Sequence, residues 1–184
     1  MKTIRFLFIL LAGALAFLSC EKGDPEIPNE GELITTVKYT LKPQPDGNSV
    51  VFLFRDLDGD GGNPPVITTG PLKPETIYSG TLELLNEAEM PVEDITEEVE
   101  NEGNEHQFFF TSTNNISVKY DDSDLNGKPV GLKTILTTGI AGTGKIKIIL
   151  RHLPDKNASG VANGVITNAG GETDIEIEFN VVVQ

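Results

Sequence analysis

From residue 33 onward, apolar and polar residues alternate with a period of two along most of the chain. That is the signature of strands with one face buried. In residues 33–41, Leu33, Val37, Tyr39 and Leu41 alternate with Thr36, Lys38 and Thr40. Val50, Val51, Phe52, Leu53 and Phe54 are apolar at every position, which predicts a central strand covered on both faces. Residues 76–85 and 107–111 give two more strands, and Ile116, Val118 and Tyr120 begin another. Leu132, Thr134 and Leu136 continue the pattern, followed by Ile146, Ile148 and Leu150. The last strand alternates most cleanly. Ile175, Ile177, Phe179, Val181 and Val183 point one way, and Asp174, Glu176, Glu178 and Asn180 the other. Only one segment has helical spacing: Val92, Ile95 and Val99, set among Glu93, Asp94, Glu97, Glu98 and Glu100.

The pattern predicts an all-β fold, an antiparallel immunoglobulin-like β-sandwich of about eight strands with Gly-, Pro- and Asn-rich turns. One short acidic helix crosses between the sheets, its carboxylates forming a solvated face.

The first nineteen residues differ from all this. Lys2 and Arg5 precede a run of apolar residues from Phe6 to Leu18, which has the length of a signal-peptide core and is short for a membrane span. Ser19 and then Cys20 follow, resembling a bacterial lipobox, although Phe17 and Leu18 are looser than its usual pattern. Cys20 is the only cysteine in the chain, so no internal disulfide is available and acylation gives the thiol a role. Residues 1–19 are therefore expected to be a lipoprotein signal peptide. Residues 20–31, rich in Gly, Pro and acids, are a lipidated cysteine and flexible tether, and 32–184 the sandwich domain. The expected location is the bacterial cell envelope, on an outer membrane, periplasmic or surface-facing.

Charge narrows the partners. The chain carries a net −14, and removing Lys2 and Arg5 with the leader makes it more negative. Such a surface repels nucleic acid and is compatible with cations and with solubility in an exposed compartment. The expected partners are the membrane, through the lipid anchor at Cys20, and an outer-membrane protein or a glycan.

Candidate chemistry is sparse. Asp56, Asp58 and Asp60 stand at every second position, with Gly59, Gly61 and Gly62 allowing a sharp turn. Carboxylates so spaced can converge on calcium, which takes about six to eight oxygens. The loop is not an EF-hand, because Ile67 stands where the glutamate is needed and Pro64 and Pro65 forbid the following helix. The alternative is a polar strand-to-strand turn. Asp122, Asp124 and Asn126 repeat the spacing, but Asn126-Gly127 also reads as a hairpin turn. Gly139 to Lys145 nearly matches a phosphate-binding loop. Ile146 replaces the hydroxyl residue and a strand follows, so a hairpin turn is expected. The two histidines, His106 and His152, lie far apart and outside any zinc motif. Gly103 makes a helical Glu102–His106 pair unsuitable as a metal-binding face.

Asp58 to Pro65, Glu105 to Phe110 and Gly170 to Asn180 resemble a group of small Bacteroidetes-type lipoproteins often labelled "type 1 periplasmic binding fold superfamily protein". The resemblance covers most of the chain after Cys20 and implies no activity. The fold in that label needs two α/β lobes and about twice this length, whereas the alternation here predicts a sandwich. The expected function is a non-catalytic binding or accessory domain. A carboxylate-dependent glycan hydrolase and a purely structural envelope protein are the alternatives.

Overall fold

The computed structural model describes residues 33–59 and 62–184. The leader, Cys20 and the tether lie outside the described residues, as do Asp60 and Gly61. The described residues form two antiparallel sheets packed face to face. In chain order the strands are β1 (Thr36–Pro43), β2 (Val50–Arg55), β3 (Val66–Thr68), β4 (Ile77–Asn86), β5 (Glu93–Asp94), β6 (His106–Ser112), β7 (Ser117–Tyr120), β8 (Lys133–Thr137), β9 (Gly142–His152) and β10 (Glu172–Val183). The first sheet runs β3-β2-β1-β4-β8-β7, with β5 added to β4, and the second runs β10-β9-β6. The all-β sandwich is therefore the architecture adopted. It has ten strands among the described residues where the alternation predicted about eight. The extra two are β3, exposed at every residue, and the two-residue β5, and neither has a buried face to impose a pattern.

The helix α1 (Ile95–Asn101) carries the chain from β5 in the first sheet to β6 in the second. Asp94 caps it by accepting the Thr96 N–H at 3.0 Å, and Glu97 and Glu98 favour its positive end. Ile95 and Val99 are buried and the glutamates are exposed, as expected, while Val92 falls outside the helix and is exposed. The Thr96 hydroxyl bonds both the N–H and the carbonyl of Leu84, which docks the first turn on β4.

The inward faces of both sheets supply one core. Phe52 meets Phe179 across the sheets at 5.5 Å between ring centroids, and Tyr39 meets Phe110 at 6.3 Å. Each such side chain contributes ~1.5–3 kcal/mol by leaving water. β2 is not covered on both faces, since Phe52 is fully buried but Val51 is 46% exposed. The outer face of the first sheet lies in solvent there, so the apolar run of β2 exceeds what burial requires.

At one edge the sandwich is closed by backbone pairing between Leu72 and the end of β10, through Leu72 N to Val182 O at 2.9 Å and Gln184 N to Leu72 O at 2.8 Å. Residues 138–141 join β8 in the first sheet to β9 in the second. The expected hairpin there is thus a crossover between sheets, because β8 pairs with β4 and β7, not with β9. Residues 153–171 cover part of the outer face of the second sheet. Val161 and Ala169 pack on Phe109, and the Gln107 amide donates to Val161 O at 2.7 Å.

Candidate metal centre

The second sheet brings together three side chains that are distant in sequence. His106 opens β6 and His152 closes β9, and antiparallel register sets them directly opposite. Their rings stack with centroids 4.7 Å apart and planes 26° from parallel. They lie at the end of two apolar rows, next to the Phe108–Leu150 pair. Asp174 arrives from β10. The register between β9 and β10 shifts between Thr173 and Ile175, which leaves Asp174 as the unpaired residue of a bulge. Gly170 and Gly171 precede it with φ of 61° and 68°, a conformation costly for any other residue. A Cβ on Gly171 would also stand 2.2 Å from the His152 carbonyl oxygen, so the close approach of β10 to β9 requires glycine there.

The alternation placed Asp174 on the outward face with Glu176 and Glu178. The bulge overturns that parity, because one inserted residue re-aims a side chain. A nitrogen from each histidine and a carboxylate oxygen of Asp174 lie within 4.8 Å of one another. This is the one such three-residue cluster of metal-ligating groups among the described residues.

The three side chains are buried to half-buried. His106 is fully buried, and the side chain of His152 is 14% exposed. Burial lowers the His106 imidazole below its ordinary value, a shift that its bond to the Glu102 carbonyl opposes and nearby His152 reinforces. That bond, between Nδ1 and Glu102 O at 3.2 Å, is made by an Nδ1–H donor in the neutral ring and leaves Nε2 as the lone-pair atom. Burial pushes the Asp174 carboxyl up to about 6, with His152 and Arg151 opposing and Glu172 adding to the rise. Its Oδ2 is buried with no hydrogen-bond partner. Glu105 brings a further carboxylate 4.0 Å from His152 Nε2. Chemically, two imidazole nitrogens and one carboxylate oxygen match the donor set of a borderline transition-metal ion better than that of calcium.

The aspartates singled out by spacing are placed elsewhere. Asp56 and Asp58 occupy the exposed β2–β3 loop. Asp56 Oδ1 accepts the Gly59 N–H at 3.0 Å, and Asp58 Oδ2 accepts from the backbone and side chain of Asn63 at 3.0 and 2.7 Å. Those Asn63 donors hold the Asp58 carboxyl below its ordinary value. Asp60, the third member, lies outside the described residues.

Asp122, Asp124 and Asn126 lie between β7 and β8, which pair antiparallel around an Asn126-Gly127 turn. Asp122 accepts from Gly131 N and Lys133 N at 2.7 and 2.8 Å. Asp124 Oδ1 accepts from Asn126 N and Lys128 N at 2.8 and 2.9 Å. Its Oδ2 faces the Lys156 ammonium at 3.0 Å. Asp124 Oδ2 is thus paired with Lys156, and both side chains are nearly inaccessible, at 2% and 5% exposure. Lys156 Nζ also donates to Gly103 O and to Pro129 O, so one buried ammonium ties three loops. Sequence reasoning passed over Lys156, which sits in the aperiodic segment after β9.

No protein-family model, curated protein or solved structure matches this chain.

Proposed function

We propose that this chain is a lipid-anchored, non-catalytic binding or accessory domain of the bacterial cell envelope, tethered through Cys20 and presenting its sandwich to an outer-membrane protein or a glycan. The observation that carries the reading is the sequence around Cys20: a sole cysteine at the end of a basic-then-apolar leader, followed by a tether unable to bury a core. A lipoprotein's acyl chains are enough for stable anchoring. The resemblance to small Bacteroidetes-type lipoproteins points the same way. An acidic exterior with cross-strand pairs such as Lys145–Glu178 suits a domain exposed to solvent.

Metabolic labelling with a palmitate analogue tests the anchor. The wild-type chain takes the label and fractionates with membranes, and Cys20→Ser loses both. A Cys20→Ser chain that is still labelled and membrane-bound overturns the reading.

Calcium in the Asp56, Asp58 and Asp60 loop belongs to the same proposal, as a stabiliser of the exposed β2–β3 loop. An ion present at one hundred times its dissociation constant adds ~2.7 kcal/mol, which raises the melting temperature by about 5–11 °C for a domain of this size. A chelator removes that rise and Asp58→Ala abolishes it. A calcium-independent melting curve makes the loop an ordinary turn.

A further inference from the structure

We propose that His106, His152 and Asp174 form a binding site for one divalent transition-metal ion of the zinc class. Three strands contribute one ligand each, and each contribution has a separate structural cause. Register sets His106 opposite His152, and the bulge after Gly170 and Gly171 turns Asp174 inward. Two neutral imidazoles and a carboxylate are a recurring zinc donor set. Ligands bound at ~2.0 Å in a tetrahedron stand ~3.3 Å apart. Closing from the present separations, all within 4.8 Å, takes small side-chain rotations.

Two further features favour an ion over simple packing. The Nδ1–H of His106 is donated to a backbone carbonyl, the usual outer-shell arrangement that fixes a ligating ring with Nε2 toward the metal. Asp174 Oδ2 is buried with no hydrogen-bond partner, a cost that a cation removes. The position also interrupts apolar rows. Phe108 and Phe110 continue from His106, and Leu150 and Ile148 lead to His152. Apolar residues would fill that end of the core with less desolvation penalty than two imidazoles and a carboxylate. Glu105 or a water completes the fourth position.

The test uses the untagged full chain in detergent, first stripped with a chelator and then titrated with zinc chloride by calorimetry. One zinc per chain is expected, with a higher melting temperature, and calcium at equal concentration does not compete. His152→Gln and Asp174→Asn each weaken zinc binding by at least ~10-fold. Circular dichroism confirms that each variant folds.

His106 and His152 are the chain's only histidines, so the wild type gives an independent reading. Cobalt bound in place of zinc should produce two paramagnetically shifted imidazole N–H signals in the proton spectrum. The His106 signal exchanges slowly, because that N–H is buried against Glu102 O. Absence of stoichiometric zinc binding, binding undiminished in both folded variants, or a cobalt spectrum without imidazole signals overturns the proposal. Should a variant fail to fold, the cobalt spectrum of the wild type decides alone.

Discussion

Replacing Asp124 with alanine leaves the buried Lys156 ammonium hydrogen-bonded to the Gly103 and Pro129 carbonyls, with no carboxylate in direct contact. It also strips the acceptor from Asn126 N and Lys128 N. Removing one partner of a buried ion pair costs ~3–5 kcal/mol, because the remaining charge stays desolvated. For about 150 residues each kcal/mol moves the melting temperature by about 2–4 °C, so Asp124→Ala should lower it by about 6–20 °C. Lys156→Met keeps most of the apolar stem and removes the charge, and it should also destabilise. The double variant Asp124→Ala/Lys156→Met should be less destabilised than the sum of the two, since no buried charge is left alone. Urea unfolding at pH 7 measures all three. Repeating it at high salt separates this pair from exposed ones. The loss at Asp124 should persist in salt, whereas Glu178→Gln, which breaks the exposed pair with Lys145, should cost under ~1 kcal/mol and less still in salt. If Asp124→Ala changes stability by under ~0.5 kcal/mol, or the single effects simply add, Lys156 is not the clasp of these three loops.

Acid should weaken the fold in a defined direction. Burial alone would raise the Asp124 carboxyl, but the Lys128 N–H and the Lys156 side chain together hold it below its ordinary value of 3.8. The Thr36 hydroxyl and Arg55 hold Glu87 below its ordinary value of 4.5. Groups depressed in the folded state add stability above their ordinary values and lose it as pH falls through the folded ones. The urea midpoint should therefore fall below about pH 4.5, and Glu87→Gln should flatten part of that decline. Gly80→Ala should cost ~1–3 kcal/mol in thermal unfolding, since its Cβ would stand 2.4 Å from Thr134 Oγ1 and 2.7 Å from Tyr39 Cε2 in the packed core. Tyr39→Phe should cost ~0.5–1.5 kcal/mol by deleting the buried bond of 2.7 Å to the Thr134 hydroxyl, and a stability equal to wild type would show that Thr134 finds another partner.

The sandwich was readable because most of its strands bury one face. Val37, Tyr39 and Leu41 in β1 and Ile177, Phe179, Val181 and Val183 in β10 alternate because their neighbours face water. Where that condition fails, so does the pattern. β3 is exposed at every residue, and β2 carries more apolar residues than it buries. Residues 153–171 follow no period, yet they supply Val161 and Ala169 to cover Phe109 and Lys156 to neutralise Asp124. The regular acid spacing at Asp122 and Asp124 arises from a loop whose carboxylates bind backbone N–H groups and a lysine.

The His106, His152 and Asp174 cluster was unreadable for a different reason. Local spacing finds ligands only when they share a helix face or a loop. Here the pairing of β6 with β9 sets His106 opposite His152, and a single sequence with several similar strands does not specify which strands become neighbours. Asp174 was hidden by its own regularity, being in phase with Glu176 and Glu178 until one inserted residue reverses its side. One local sign was Gly170-Gly171 immediately before a strand, the composition of a bulge or a close backbone approach. A polar residue at the end of an apolar row and a glycine pair at a strand entrance are each weak signals. Their conjunction at one end of one sheet becomes visible only once the register is known, and a site assembled across strand ends is legible in the fold before it is legible in the chain.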